Sequence, residues 1–161
     1  MNPHHYRFRS LWTLDAPPGA VYAVLERPEE YPLWWPQVRE AERTPSGAGR
    51  ARFRSVLPYD LVVTAWESRR DPGAGVLETV LTGDLEGWAR WTVTARGGDC
   101  DCGSDSAGGS GSHALFEQEV TVRRRLLRAL AVPGRPLFRA NHRLMMRGGR
   151  RGLRARLAEA V

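Results

Sequence analysis

The sequence predicts an α+β fold, a curved antiparallel sheet wrapped around one long C-terminal helix, with two short helices after the first strand. Three observations carry this. Apolar residues alternate with period two in successive short segments, two Pro-marked helical segments follow the first of them, and a helical period of three and four occupies the C-terminal end. The 161 residues suit a single domain over residues 1–161, and 42% hydrophobic with 26% charged content is ordinary for a globular chain.

From Tyr6 to Leu14 the residues Tyr6, Phe8, Ser10, Trp12 and Leu14 share one face, the pattern of a strand. Ala16-Pro17-Pro18-Gly19 ends it. Pro18 suits a first helical turn, and Val21, Val24 and Leu25 recur at helical spacing, so a short helix is expected over about 18–26. Arg27-Pro28 stops that helix, and Glu29 to Pro36 reads as a second one of a single turn, its acids at the favoured N-terminal end. Strands follow at 38–42, 50–57, 61–66, 76–81, 87–96 and 114–123, separated by Gly/Pro-rich turns. Between the last two lies a Gly/Ser/Asp-rich stretch over 97–112, expected to be a flexible hairpin insertion.

Residues 137–159 read as one helix on the order of 30 Å long. Phe138, Asn141/His142, Met145, Gly149 and Leu153 recur on its inward side, while Arg139, Arg143, Arg147, Arg150 and Arg154 fall toward water. Gly148, Gly149 and Gly152 would each weaken an isolated helix by about 1 kcal/mol relative to Ala. They therefore imply close packing against the sheet, or a bend. The sheet must bury one face, and this helix is the large element available to cover it.

No apolar run approaches the roughly 20 residues that span a bilayer. The segment Met1 to Arg7 lacks the apolar stretch of a secretory signal and leads directly into a strand, so a cytoplasmic protein is expected. The net charge is +6, and every basic residue is Arg. That usage, with abundant Ala, Gly and Pro, matches GC-rich coding. Half of the 24 arginines lie between Arg123 and Arg156, and the first acid after Arg123 is Glu159. A solvated helix face accounts for them most simply; an anionic membrane met transiently, or nucleic acid, is the functional reading, with no specific nucleic acid expected.

Catalytic groups are scarce. Cys100 and Cys102 supply too few ligands for structural zinc, and a disulfide across one residue would be strained. His4 and His5 point to opposite sides of a strand. Asp84 and Glu86 flank Leu85 and so face away from it, which argues against a paired-carboxylate mechanism and suggests cross-strand salt bridges to Arg52, Arg54 or Arg90. No Ser-His-Asp order, phosphate loop or metal-ligand cluster is visible, so neither metal nor cofactor is implied. Nothing in the spacing sets an oligomeric state.

Three local signatures carry a resemblance. The first is Trp12 to Asp15, Ala16-Pro17 and Val21, followed by Tyr31-Pro32-x-Trp34-Trp35-Pro36. The second is Gly83-Asp84-Leu85-Glu86-Gly87-x-Ala89-Arg90-Trp91, with Ala89 where a Gly is usual. The third is Phe138-Arg139-Ala140-Asn141-His142, continuing through Met145-Met146-Arg147-x-Gly149-x-x-Gly152-Leu153. Together they resemble the START-like, helix-grip (Bet v 1-like, SRPBCC) superfamily, and within it the bacterial polyketide cyclase/dehydrase and lipid-transport group.

The resemblance implies an apolar cavity between sheet and helix. Its strand parity would place Phe53, Ser55, Leu57, Leu61, Val63, Thr79, Leu81, Leu85, Trp91, Phe116 and Gln118 on the concave face. The helix would add Asn141, His142, Met145 and Met146, and the short second helix would set Tyr31, Trp34 and Trp35 at the mouth. The expected function is binding of a hydrophobic small molecule such as a lipid, isoprenoid or polyketide-like compound. The enzymatic alternative is a cyclase/dehydratase in which His142 serves as acid or base, the one group of the set that titrates near neutrality. Against both stands the reading that these side chains fill a core, with His142 structural.

Overall fold

The computed structural model describes residues 4–54, 60–97, 111–123 and 135–159. Seven strands, β1 (His5–Leu14), β2 (Val38–Arg43), β3 (Gly49–Phe53), β4 (Leu61–Asp71), β5 (Val76–Gly83), β6 (Leu85–Ala95) and β7 (Ser112–Val122), form one antiparallel sheet in the order β1-β7-β6-β5-β4-β3-β2. Helix α1 (Pro18–Leu25), a 3-10 turn at Pro28–Glu30 and helix α2 (Tyr31–Trp34) follow β1, and α3 (Arg135–Glu159) closes the chain. The helix-grip architecture expected from the sequence is therefore present.

Several boundaries differ: β3 ends at Phe53, β5 runs to Gly83, β7 starts at Ser112 inside the stretch expected to be a loop, and α3 starts at Arg135. β4 continues to Asp71, beyond the expected end near residue 66, because a register shift between Glu67 and Arg69 keeps this charged run in the ladder with β5. β6 begins at Leu85, where pairing with Val122 extends it beyond the expected Gly87. Ser55 and Leu57 lie outside the described residues, as do Cys100, Cys102 and most of the 97–112 stretch.

From β2 to β7 each strand pairs with the next, and β7 then takes β1 as its other neighbour, from His5↔Thr121 to Leu14↔Ser112. Register stacks the inner face into rows. Leu77, Trp91, Phe116 and Ser10 form one row; Thr79, Ala89, Gln118 and Phe8 form the next; Leu81, Gly87, Val120 and Tyr6 form the third.

Helix α3 lies against β1, α1 and α2. His142, Met146, Gly149, Leu153 and Leu157 are its buried positions, while Phe138, Asn141 and Met145 are half-buried. The seam is thus centred on Met146, one residue past the Met145 phase read from spacing. The helix glycines mark close packing, and the partner is mainly the α2 segment. A Cβ on Gly149 would lie 2.8 Å from the Trp12 ring and against the Trp35 indole, and one on Gly152 would collide with the Trp34 carbonyl. The room left at Gly149 lets the Trp35 indole N–H donate to the Met145 carbonyl at 2.9 Å.

The Gly83–Trp91 signature has a structural role at the opposite end of the sheet. Gly83 turns the chain between β5 and β6 with φ of 106°, a conformation that favours glycine. The Asp84 carboxylate accepts the Val62 N–H at 3.0 Å, and the Asp84 carbonyl accepts the Arg123 N–H at 3.0 Å. The turn is thereby tied to the start of β4 and the end of β7. The salt bridges expected for these acids are corrected: Glu86 pairs with Arg123, while Arg52 pairs with Glu40 at 3.4 Å and Arg90 with Glu78 at 2.5 Å. The cause is register, which sets Glu86 opposite Thr121, two residues from Arg123, and sets Arg90 opposite Glu78.

Candidate functional site

Two apolar clusters occupy the inner face. The first gathers Trp12, Trp34, Trp35, Trp91, Phe116, Met146 and the buried side of α1. Its rings meet edge-on, tilted or stacked, with centroids at 4.8 Å for Trp12–Trp91, 4.8 Å for Trp91–Phe116 and 5.4 Å for Trp34–Trp35. Each such pair contributes about 0.5–1.5 kcal/mol beyond the area it buries. This end is filled. Trp34 and Trp35, expected at a cavity mouth, are buried to 6% and 3% exposure and form its floor. Tyr31 joins them at the edge, its hydroxyl donating to the Leu25 carbonyl at 2.7 Å, and burial pushes its phenol far above the usual range.

The second cluster, around Tyr6, Val63, Leu81, Val120 and Val122, is covered less completely. Leu61, Leu85, Ala51, Ala65, Phe8 and Phe138 pack against it while half-exposed. Phe53 and Ala89 touch both clusters and are themselves half-buried. Because α3 packs on the β1 side and against α1 and α2, the inner surface of β3, β4 and β5 keeps solvent contact. Phe138, Asn141 and Met145 on α3 are half-buried as well.

A polar belt crosses the sheet between the clusters. The middle row, Thr79–Ala89–Gln118–Phe8, places a hydroxyl and an amide among apolar rows on either side. The Thr79 hydroxyl donates weakly to the Ala89 carbonyl at 3.5 Å, and Gln118 is buried. Above this row His142 stacks on Phe8, ring centroids 4.1 Å apart and planes within 10°, with Phe116 at 6.0 Å on another side. Burial alone pulls the His142 pKa from 6.5 down to about 4, so its ring is neutral at physiological pH. Its Nε2 is buried and has no hydrogen-bond partner among the described residues. A neutral imidazole carries one donor and one acceptor nitrogen, so Nε2 is an unused polar contact in an apolar setting.

Of the residues named from the sequence, the first cluster holds Trp34, Trp35, Trp91, Phe116 and Met146, with Tyr31 and Met145 at its edge. Val63, Leu61, Leu81 and Leu85 belong to the second cluster, and Phe53 borders both. Thr79 and Gln118 lie in the same row with Ala89 between them, His142 stacks on Phe8 at the far end of that row, Asn141 is half-buried one residue before His142, and Leu57 lies outside the described residues. Sequence reading missed two members, Phe8 and Ala89. Parity alone set both on inner faces, but their adjacency through Gln118 depends on the pairing of β1 with β7, which no local spacing encodes.

Among the described residues no group of three or more His, Cys, Asp or Glu side chains is gathered to hold a metal ion. Among the same residues no helix is long and apolar enough to cross a membrane.

The fold has close counterparts among solved structures. The Zhui aromatase/cyclase from Streptomyces sp. R1128 superposes with a TM-score of 0.75 at 13% identity, over 96% of this chain and 94% of that one. A START superfamily protein from Mycobacterium smegmatis gives 0.68 at 14% identity, over 96% and 99%. A conserved protein from Geobacillus kaustophilus gives 0.73 at 9% identity, over 96% and 97%. No curated protein matches in sequence. The family model described as polyketide cyclase / dehydrase and lipid transport matches residues 14–144, a span from the end of β1 into α3. With the signatures at Trp12–Trp35, Gly83–Trp91 and Phe138–Leu153 now seen to build one sheet-and-helix core, the chain belongs to the polyketide cyclase/dehydrase and lipid-transport family.

Proposed function

We propose that the protein binds a hydrophobic small molecule, of lipid, isoprenoid or polyketide-like character, in a groove between the inner face of β3–β6 and helix α3. The observation that carries this reading is the polar belt of Thr79, Gln118 and His142 set between two apolar clusters beside a half-exposed inner surface. Such a lining suits a molecule that is mostly apolar and carries an oxygen function part-way along its length. His142 would donate or accept one hydrogen bond to that oxygen, satisfying its buried Nε2. Membership of a family whose description covers both lipid transport and polyketide chemistry supports the same ligand class.

A second reading is a cyclase or dehydratase acting on a reactive polyketide, supported by the family description and the fold shared with the Zhui aromatase/cyclase. In that reading a pKa of about 4 makes His142 a poor general base, since proton abstraction is most effective near the working pH. The neutral ring would instead polarise a substrate carbonyl by hydrogen bonding.

Native mass spectrometry of the protein isolated from its own organism, followed by solvent extraction, tests the binding role. A stoichiometric apolar ligand is expected. An empty, stably folded protein that also fails to take up long-chain lipids or aromatic polyketides in vitro would overturn it.

A further inference from the structure

One flank of α3 carries Arg139, Arg143, Arg147, Arg150 and Arg154, spaced by four, four, three and four residues, with Arg151 beside them. These spacings align them in a single stripe about 22 Å long. All six are exposed, and no Asp or Glu occurs in α3 before Glu159. Elsewhere the protein pairs its arginines closely: Arg7 with Glu119, Arg70 with Glu67, Arg90 with Glu78 and Arg156 with Glu30. Among the described residues no carboxylate pairs with Arg139, Arg143, Arg147, Arg150 or Arg151. Arg154 donates instead to the Thr13 carbonyl of β1 at 2.9 Å. Like charges three and four apart oppose helix formation, and nothing on this flank offsets them.

Two leucines mark the kind of surface that does. Leu137 and Leu144 are 40% and 51% exposed, seven residues apart on α3, with Arg147 and Arg151 three and seven positions beyond Leu144. These leucines stand on the outward face of α3, next to Arg147 and Arg151 at the edge of the stripe. Exposed leucine bordered by arginine is the pattern of a helix lying in a bilayer interface, where guanidinium groups meet phosphates and leucine enters the acyl boundary. Nucleic acid fits less well. The stripe has no aromatic side chain to stack a base and no exposed amide to read one, and the leucines would have no use there.

We infer that the Arg139–Arg154 flank of α3, with Leu137 and Leu144, is a docking surface for an anionic phospholipid bilayer. This inference stands on charge placement and goes beyond the ligand reading, which concerns the opposite flank of the helix.

Vesicle co-flotation tests it, comparing phosphatidylcholine alone with phosphatidylcholine containing phosphatidylglycerol. The full-length protein is expected to float with the anionic vesicles only, and to be released as salt rises. The triple variant Arg143→Gln/Arg147→Gln/Arg150→Gln, which spares the Arg154–Thr13 bond, should lose affinity on the order of a hundredfold. Arg7→Gln/Arg9→Gln/Arg69→Gln removes the same net charge from β1 and β4 and should bind as the wild type does. Leu144→Ser should weaken vesicle binding while leaving retention on heparin unchanged. Equal flotation of the two triple variants, when both keep the wild-type melting temperature, would overturn the inference. So would absence of flotation at low salt, or displacement from vesicles by a short duplex DNA at matched phosphate concentration.

Discussion

The imidazole of His142 lies flat on the ring of Phe8, with centroids 4.1 Å apart and planes within 10°. The contact joins the long helix to the edge strand and is part of what buries the histidine. Burial holds its pKa near 4, against an ordinary value of 6.5, so the unfolded chain binds a proton between those pH values that the folded chain does not. Folding stability is therefore unaffected by this group above about pH 6.5 and declines as pH falls toward 4, by about 3 kcal/mol in all. Denaturant titrations of wild type and His142→Phe across that interval should diverge, the variant lacking this component of acid sensitivity. NMR titration of the His142 ring near 6.5 would refute the assignment.

Glycine substitutions in the helices should act in opposite directions. In α1, Gly19 has open space where a Cβ would stand, so Gly19→Ala should stabilise the protein by up to about 1 kcal/mol. Gly152 is also helical, yet its Cβ would strike the Trp34 carbonyl, a backbone atom that cannot rotate away. Gly152→Ala should lower stability by about 1–3 kcal/mol despite the gain in helix propensity. Thermal unfolding of the two variants checks both signs.

Asp84 ties the β5–β6 turn to β4 through the Val62 N–H. Removing the acceptor with Asp84→Ala leaves that amide unpaired and should cost about 1–3 kcal/mol. Hydrogen exchange at Val62 should accelerate in Asp84→Ala and stay near wild type in Asp84→Asn, which keeps an acceptor oxygen. Unchanged protection in the Ala variant would show that the carboxylate does not hold the turn.

Much of this was readable in the sequence, where one residue's neighbours follow from spacing. The alternation Tyr6–Phe8–Ser10–Trp12–Leu14 gives these residues a common face of β1, and the strand parity implied by the family resemblance assigns Thr79, Trp91 and Gln118 to the concave side. Spacing does not encode which strands meet. The polar belt exists because β7 pairs with both β6 and β1, bringing Ala89, Gln118 and Phe8 into one row across more than 80 residues of chain. The three helix glycines announce a close approach, but what approaches is the α2 segment, a fact of tertiary packing. Trp34 and Trp35 follow from the same cause: the small residues opposite them let the segment sink into the core.

Ala89 is the narrowest test of the proposed groove. It stands at the junction of the two apolar clusters, half-buried, with Thr79 and Gln118 on either side. The decisive measurement is a fluorescence titration with cis-parinaric acid, an apolar polyene acid, on wild type, Ala89→Phe and Val80→Phe. Val80 is 42% exposed on the outer face, so its variant adds the same ring away from the groove. Saturable binding to wild type and Val80→Phe, weakened about tenfold or more in a folded Ala89→Phe, is the expected result. Equal binding by all three proteins would contradict a ligand site on the inner face.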